Sequence, residues 1–281
     1  MNETPASPSD LPRVAVLGGG VMGGTIVTAL RIAGWPANRI AVAEKDGLRS
    51  NALSEAHGVV VEPKIGAAVK GADIVVFAVK PQDAENVLAD AVKEFKAGAL
   101  LLSVAAGLPT TYFEKRLPAD TPVIRAMPNT PAIVAYGATG IATGAHATEQ
   151  HVALVYSILR ATGLVVRVRE EDLDAVTAVS GSGPAYFYAM VEALTEAGVA
   201  QGLDRIVATQ LAAQTFVGAA RLLFESGETP QVLRKRVSSP GGTTVAALEA
   251  MTHAGLQDVI SAGARAAAAR SKEMGQELGG A

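Results

Sequence analysis

The stretch VAVLGGGVMG, from Val14 to Gly23, decides the fold of the first half of this chain. Its first four residues are apolar, which is typical of a buried strand, and the glycines that follow have the spacing Gly18-x-Gly20-x-x-Gly23. Gly18 suits a tight turn, Gly20 lets the backbone approach a pyrophosphate, and Gly23 lets the next helix lie close to the strand. The same spacing occurs in strand-to-helix turns that bind nothing, so the surrounding sequence has to decide.

The surrounding sequence alternates short β-branched runs with helical patterns, which predicts a parallel sheet covered on both faces. The further strands are predicted at residues 40–43, 59–61, 73–78 and 100–104, with 123–126 and 165–168 extending the sheet at one edge. We therefore predict an α/β fold whose N-terminal domain, residues 13–168, is a Rossmann-type doubly wound sheet. In that setting the glycine turn indicates a dinucleotide site.

The strand pattern stops after residue 168, and residues 169–281 are predicted to form an all-α domain. Long, Ala-rich amphipathic segments are predicted at residues 184–201, 205–225 and 256–277. A small helical domain with several wide apolar faces commonly completes its core by dimerisation. We expect a homo-oligomer.

Composition limits the remaining possibilities. The net charge is −3 and the basic residues are scattered, so we expect neither a nucleic-acid partner nor a membrane surface, and no apolar run looks long enough to span a bilayer. The chain has no cysteine, and its four histidines lack metal-ligand spacing, so no metal is expected. Residues 1–12 are polar and Pro/Ser-rich, which predicts a disordered tail and not a signal peptide. We expect a cytoplasmic protein.

Three charged residues follow the second predicted strand, where the adenosine ribose of a dinucleotide would lie. Glu44 can accept hydrogen bonds from a ribose diol and repel a 2′-phosphate, which favours NAD(H). Lys45 and Arg49 come next, and either can bind a 2′-phosphate, which favours NADP(H). All three also suit an ordinary solvated helix start, so the cofactor choice stays open at this point.

Ligands of such sheets lie beyond the carboxyl ends of the strands. This draws attention to the segments Ala78-Val79-Lys80-Pro81 and Ala105-Ala106-Gly107, whose small residues leave room for a nicotinamide or its ribose. Asn129 can offer an amide to the same crevice, although an Asn between two prolines is also a common turn residue.

A second glycine motif, SSPGGTT at residues 238–244, suits a small anion. Gly241 and Gly242 allow close approach to main-chain N–H groups, while serine and threonine hydroxyls add donors without charge. A helix that begins here would favour the same anion through its dipole. The alternative is a Pro-Gly turn followed by a threonine helix cap.

Six segments in order resemble the pyrroline-5-carboxylate reductase family, and the resemblance covers nearly the whole chain after the tail. They are Gly18 to Gly23, Ala78 to Pro81, Ala105 to Gly107, Arg125 to Pro131, Val179 to Tyr186 and Ser239 to Thr244. The resemblance implies a Rossmann domain joined to a helical domain that forms an intertwined homodimer, often assembled into a decamer as a pentamer of dimers. It implies NAD(P)H-dependent reduction of 1-pyrroline-5-carboxylate to L-proline, the last step of proline biosynthesis.

The resemblance also assigns roles to residues. It places substrate contacts at Ser180, Ser182, Gly183, Pro184, Ser239, Gly241, Gly242 and Thr243, and it places Thr244 at the ring nitrogen as the catalytic residue. It places cofactor contacts at Gly18, Gly20, Val21, Met22, Gly23, Glu44, Lys45, Arg49, Ala78, Val79, Lys80, Pro81, Ala105, Ala106, Gly107 and Asn129.

The implied reaction fits the chemistry that this sequence offers, because hydride addition to a protonated imine needs no metal or covalent nucleophile. The sequence departs from the family in its glycine turn, which carries Val21 and Met22, and at Glu44, where many relatives have small polar or basic residues and prefer NADPH. Two alternatives remain: a related imine or 3-hydroxyacid oxidoreductase, and a non-catalytic NAD(P)H-binding regulator.

Overall fold

The computed structural model describes residues 11–279, and side chains through residue 277. The described strands are β1 (Val14–Leu17), β2 (Ile40–Ala43), β3 (Val60–Glu62), β4 (Ile74–Phe77), β5 (Leu100–Ser103), β6 (Val123–Met127), β7 (Gly137–Thr143) and β8 (Gly163–Arg167). The described residues form two compact units, one ending at Gly181 and resuming at Ala267, the other running from Ser182 to Ala266. The boundary predicted after residue 168 stays a prediction.

The helices of the first unit follow the strands. They are α1 (Val21–Ile32), α2 (Gly47–His57), α3 (Ile65–Val69), α4 (Ala84–Val92), α5 (Thr110–Glu114), α6 (Glu149–Leu159) and α7 (Leu173–Val176). The chain then continues through α8 (Gly183–Ala200), α9 (Arg205–Ser226), α10 (Pro230–Arg236), α11 (Thr243–His253) and α12 (Leu256–Gly279). The α/β fold class, with a doubly wound sheet followed by helices, is confirmed.

The strand order in the described residues is β3-β2-β1-β4-β5-β6-β7-β8. From β3 to β6 all neighbours are parallel, so the carboxyl ends of these strands meet at one edge of the sheet. β1 has β2 on one side and β4 on the other, which makes the end of β1 the point where the strand order reverses. Ligands of open α/β sheets bind at such a point.

The sheet separates two apolar cores, which is why the strands are apolar on both faces. In β1, Val14 and Val16 belong to the core that α1 and α6 cover, while Ala15 and Leu17 belong to the core that α3, α4 and α5 cover. Leu11, at the end of the predicted tail, packs against the first core, and the carbonyl of Pro12 accepts a hydrogen bond from the indole of Trp35. The first ten residues of that predicted tail lie outside the described residues.

Strand β7, next to the edge strand β8, was not predicted, and it changes the sheet. It lies between β6 and β8, antiparallel to β6 and parallel to β8, so the prediction of a wholly parallel sheet was wrong at this edge. Its sequence, GATGIAT, has no run of large apolar residues that would predict a strand. Small residues are needed here because a Cβ at Gly140 would lie 2.9 Å from Val176 Cγ1.

The second unit buries little of its apolar surface. α8 and α9 pack together, with the rings of Phe187 and Phe216 edge to face at 5.7 Å, yet Phe224 remains 82% exposed. By length and composition α9 could cross a membrane, although it contains no long uninterrupted apolar run of the kind sought in the sequence. Thr and Gln residues scattered along α9 interrupt its apolar runs. Apolar side chains exposed on this scale also mark an interface between chains.

Candidate functional site

The glycine turn lies where the strand order reverses, and each of its three glycines has a different structural role. Gly18 has a φ of +100°, and its N–H donates to the carbonyl of Ala43 at 3.0 Å. A Cβ on Gly23 would lie 1.8 Å from the carbonyl oxygen of Gly18, so α1 could not approach the strand with any other residue there. A Cβ on Gly20 would meet no atom of the described residues within 4 Å. Gly20 therefore faces open space at the start of α1.

The first turn of α1 leaves main-chain donors unbonded. Gly20 is the N-cap residue, and within the described part of the chain no side chain caps the helix. The N–H of Gly24 is the first to bond back, to the carbonyl of Gly20. The N–H groups of Val21, Met22 and Gly23 precede it, and together with the helix dipole they suit an anionic group. The structure thus offers the backbone donors and the free space that a pyrophosphate needs.

The segments predicted beyond β4 and β5 lie along the same edge of the sheet. A Cβ on Gly18 would lie 2.8 Å from the carbonyl oxygen of Ala78 and 3.1 Å from Val79 Cγ1, so this segment packs directly against the glycine turn. Lys80 is exposed and precedes the short 3₁₀ turn Pro81–Asp83. Ala105 is buried after β5, and Ala106 is half-buried.

Gly107, which stays a predicted cofactor residue, also lies close to α12. It has a φ of +80°, and a Cβ on it would lie 3.4 Å from atoms of Met274 and Gly275 in α12. In turn, a Cβ on Gly275 would lie 2.9 Å from the carbonyl oxygen of Gly107. Sequence reasoning missed this contact, although a glycine inside a long helix is a signal of close approach.

Glu44 lies at the end of β2 with a side chain that is only 6% exposed. Its Oε2 accepts hydrogen bonds from the N–H of Gly19 at 3.0 Å and from Nε of Arg49 at 3.1 Å. Its Oε1 accepts from the N–H of Asp46 at 2.8 Å and from Nη2 of Arg49 at 2.9 Å. Burial raises the pKa of this carboxyl, but the hydrogen bonds from Arg49, Asp46 and Gly19 outweigh it and hold the pKa below its ordinary value. Lys45 is exposed.

Asn129 is buried after β6, and both ends of its amide are used inside the first unit. Its Oδ1 accepts from the N–H of Ala138 at 2.8 Å, and its Nδ2 donates to the carbonyl of Ser180 at 2.9 Å. Ser180 belongs to a single π-helical turn, Thr177–Gly181, a form that is frequent at functional sites. The side chain of Asn129 therefore holds the end of β6, the start of β7 and this turn together.

The second glycine motif lies in the other unit and, like the first, leads into a helix whose N-cap residue is glycine. Gly241 has a φ of +70°, and the N–H of Gly242 donates to the carbonyl of Ser239 at 2.9 Å. A Cβ on Gly242 would lie 2.7 Å from Oγ of Ser239. Gly242 is the N-cap residue of α11, and no side chain caps this helix.

The hydroxyls around this turn are not equivalent. Ser238 Oγ donates to the carbonyl of Arg234 at 2.7 Å, whereas no hydrogen bond within the described residues uses the hydroxyls of Thr243 and Thr244. Thr243 is exposed and Thr244 is half-buried in the first turn of α11. The remaining predicted substrate residues, Ser182, Gly183 and Pro184, form the start of α8, whose N-cap Ser182 makes no side-chain cap.

Comparison with known proteins identifies both halves of the chain. Residues 170–274 match the family described as pyrroline-5-carboxylate reductase dimerisation, and residues 13–107 match the family described as NADP oxidoreductase coenzyme F420-dependent. The pyrroline-5-carboxylate reductase of Mycobacterium leprae is 43% identical over 95% of this chain and 98% of its own length. That of Pseudomonas aeruginosa is 37% identical over 95% and 98%.

Solved structures give the same result. A pyrroline-5-carboxylate reductase from Coxiella burnetii superposes with a TM-score of 0.87 at 37% identity, covering 94% of this chain and 98% of that one. A Plasmodium falciparum pyrroline carboxylate reductase with NADP bound superposes with a TM-score of 0.81 at 26% identity, again over 94% and 98%.

Proposed function

This chain belongs to the pyrroline-5-carboxylate reductase family, and we propose that its two glycine-capped helix starts, at α1 and α11, hold the anionic groups of the two reactants. The enzyme reduces 1-pyrroline-5-carboxylate to L-proline, so a hydride is added to the imine carbon and the nitrogen ends as an amine. NAD(P)H supplies the hydride when it is bound. The observation that carries the proposal is that α1 and α11 each begin at an uncapped glycine with open main-chain donors.

The glycine turn of the first unit suits the cofactor pyrophosphate. The N–H groups of Val21, Met22 and Gly23 precede the first bonded amide of α1, and Gly20 leaves the approach to them open. The segments that follow β4 and β5 lie along the same edge of the sheet, and we propose that they shape the remainder of the cofactor site. Their residues are Ala78, Val79, Lys80, Pro81, Ala105 and Ala106. Glu44, Lys45 and Arg49 belong to its adenosine end.

The turn before α11 suits the substrate carboxylate. The first N–H groups of α11 and the hydroxyls of Ser239 and Thr243 are donors to a carboxylate, and the positive φ of Gly241 shapes the turn. We propose that the hydroxyl of Thr244 accepts a hydrogen bond from the protonated ring nitrogen and holds it while the positive charge disappears. Positioning of this kind can account for most of the rate, because the imine carbon is already electrophilic.

We propose that the substrate is also contacted by Ser180, in the turn Thr177–Gly181, and by Ser182, Gly183 and Pro184 at the start of α8. The protein associates with itself through its dimerisation domain. We propose a homodimer, with a decamer as a pentamer of dimers, supported by the large apolar side chains that the second unit exposes. We also propose that the enzyme works in the cytoplasm, in keeping with a chain that needs no disulfide.

Oxidation of NADPH by the purified protein, followed by absorbance with and without racemic 1-pyrroline-5-carboxylate, tests the reaction. Thr244→Val removes the hydroxyl at nearly constant volume, and we expect kcat to fall about 10- to 100-fold, the worth of one hydrogen bond to a charged group. Thr244→Ser should restore much of the rate. Oxidation that does not depend on the imine would reject the reductase assignment.

Thr252→Val is the matched control, because Thr252 lies in the same helix and its hydroxyl donates only to the carbonyl of Leu248. This variant should keep wild-type kcat. Cofactor affinity, measured by equilibrium titration, should stay within about twofold of wild type in every threonine variant, since α11 is proposed to hold the substrate. A Thr244→Val enzyme with unchanged kcat would remove Thr244 from the mechanism.

A further inference from the structure

The carboxylate of Glu44 has no lone pair left for a cofactor ribose. An ionised carboxylate offers about four acceptor positions. In this protein four donors occupy them: the N–H groups of Gly19 and Asp46 and two N–H groups of the Arg49 guanidinium. A ribose diol could donate to this carboxylate only by displacing a charge-assisted hydrogen bond, which is among the stronger hydrogen bonds in proteins.

Arg49 uses only one edge of its guanidinium on Glu44. Nε and one N–H of Nη2 form the bidentate pair, and Nη1 lies 3.8 Å from the nearer oxygen of Asp46, too far for a hydrogen bond. The opposite edge, formed by Nη1 and the second N–H of Nη2, is the planar fork that phosphate oxygens fit. The side chain is 51% exposed, so a ligand can reach it.

The charges at the adenosine end cancel. Glu44 and Asp46 are negative, and Lys45 and Arg49 are positive. A phosphate arriving here therefore meets no net negative charge, and the Glu44 carboxylate that would repel it is shielded by Arg49. The simple expectation that an acidic residue after β2 disfavours a 2′-phosphate does not take this pairing into account.

We propose that Glu44 is a positioning residue that fixes Arg49 with two hydrogen bonds, so that the free edge of Arg49 binds the phosphate on the adenosine ribose and selects NADPH over NADH. This inference rests on the proposed cofactor site at the glycine turn. It names Arg49 as the residue that determines cofactor choice and Glu44 as the residue that orients it.

The two possible roles of Glu44 predict opposite signs for one substitution. Glu44→Gln keeps an oxygen that can accept from Gly19 but removes the charge that holds Arg49. If Glu44 positions Arg49, the variant binds NADPH about 3- to 10-fold more weakly and NADH nearly as well as wild type. If Glu44 instead accepts from the ribose and repels the 2′-phosphate, the variant binds NADPH more tightly and NADH more weakly.

The experiment is equilibrium titration of the full-length protein with NADPH, NADH, adenosine 2′,5′-bisphosphate and 5′-AMP, without substrate. Arg49→Gln should weaken NADPH and the bisphosphate about 10- to 100-fold and leave NADH and 5′-AMP within about twofold. Arg49→Lys keeps the charge but loses the fork, and we expect it to recover only part of the affinity.

Arg169→Gln is the matched control. Arg169 makes the same bidentate pair with Asp172, at 2.9 Å through both Nε and Nη2, on a different surface of the same unit. This variant should bind all four ligands as wild type does. Arg49→Gln with an unchanged NADPH to NADH ratio would overturn the inference while leaving the cofactor site intact. A wild-type protein that binds neither dinucleotide would instead overturn the proposed site.

Discussion

Replacing Asn129 by alanine should destabilise the first unit without removing a cofactor contact. Asn129 is 8% exposed, and its amide bonds the N–H of Ala138 and the carbonyl of Ser180. Removing the amide leaves both backbone groups unpaired, at about 1–3 kcal/mol each, and their partial exposure favours the lower end. We therefore expect a loss of about 2–3 kcal/mol.

The assay is thermal unfolding at one fixed protein concentration, because self-association makes Tm depend on concentration. A loss of that size lowers Tm by about 2–4 °C for each kcal/mol in a chain of this class, or about 4–12 °C in all. Asn129→Asp keeps an acceptor for Ala138 but places a carboxylate oxygen against the carbonyl of Ser180, so it should also unfold early.

Measurements of cofactor affinity and of KM for the imine distinguish this structural role of Asn129 from the cofactor contact that the sequence predicted. If Asn129 holds the turn Thr177–Gly181, the alanine variant should bind NADPH within about twofold of wild type, while KM for the imine rises because Ser180 is displaced. A variant with an unchanged Tm and NADPH binding weakened at least about tenfold would refute the reasoning and make Asn129 a cofactor ligand.

Three further predictions test the glycine turn and its neighbour. Gly23→Ala places a Cβ 1.8 Å from the Gly18 carbonyl and should lower both Tm and NADPH affinity, whereas Gly24→Ala, whose Cβ would lie 3.7 Å from Leu53, should do neither. Gly20→Asp adds a helix cap of the kind seen at Asp46 and Asp204, so Tm should hold or rise while NADPH affinity falls at least about tenfold; unchanged affinity would contradict the pyrophosphate site. Burial raises the pKa of the Glu44 carboxyl, but hydrogen bonds from Arg49, Asp46 and Gly19 hold it below its ordinary value, so its stabilising effect is complete above the ordinary carboxyl pKa and is lost as pH falls through the lowered pKa. The Tm advantage of wild type over Glu44→Gln should therefore shrink below about pH 4.5, and an advantage independent of pH would contradict it.

The parts of the fold that local sequence specifies were predictable. β1 and α1 follow from a continuous apolar run and a glycine spacing, and α9 was predicted at residues 205–225 where the structure has Arg205–Ser226. β7 was not predictable in this way, because it consists mainly of small residues, and at Gly140 a close approach to α7 requires one. Pairing with β6 and β8 makes it a strand, and that information lies outside the segment.

The sequence supplied candidate site residues, which stay predictions, but it did not supply the hydrogen bonds that they make in the structure. Sequence spacing placed Glu44 and Arg49 at the predicted adenosine end, but only the structure shows that Glu44 binds one edge of the Arg49 guanidinium and leaves the other edge free. Asn129 was found from its place after a strand, yet its partner Ser180 lies 51 positions further along the chain. Long-range hydrogen bonds of this kind leave no local sequence pattern. The sequence therefore indicated candidate residues but not the hydrogen bonds that they make.

The proposed function gives the two glycine motifs, which lie in separate units, related purposes, and the helix starts supply its physical basis. α2, α9 and α10 begin with Asp46, Asp204 and Thr229, whose side chains accept from their first-turn N–H groups. α1 and α11 begin with glycine and have no side-chain cap. Replacing a capping side chain with glycine costs the helix only a few tenths of a kcal/mol, about the least of any uncapped choice, and leaves the N–H groups accessible.

An anion bound at such a helix start then supplies the missing hydrogen bonds, so that ligand binding replaces the cap. Under the proposed function, glycine at positions 20 and 242 gives up a little helix stability and keeps the N–H groups open to an anion. A capping side chain would stabilise the helix but block the anion. The compromise differs between the two sites, because a side chain at Gly242 would also strike Ser239, whereas one at Gly20 meets only open space. Gly20 is therefore the position where ligand binding can be separated most cleanly from folding.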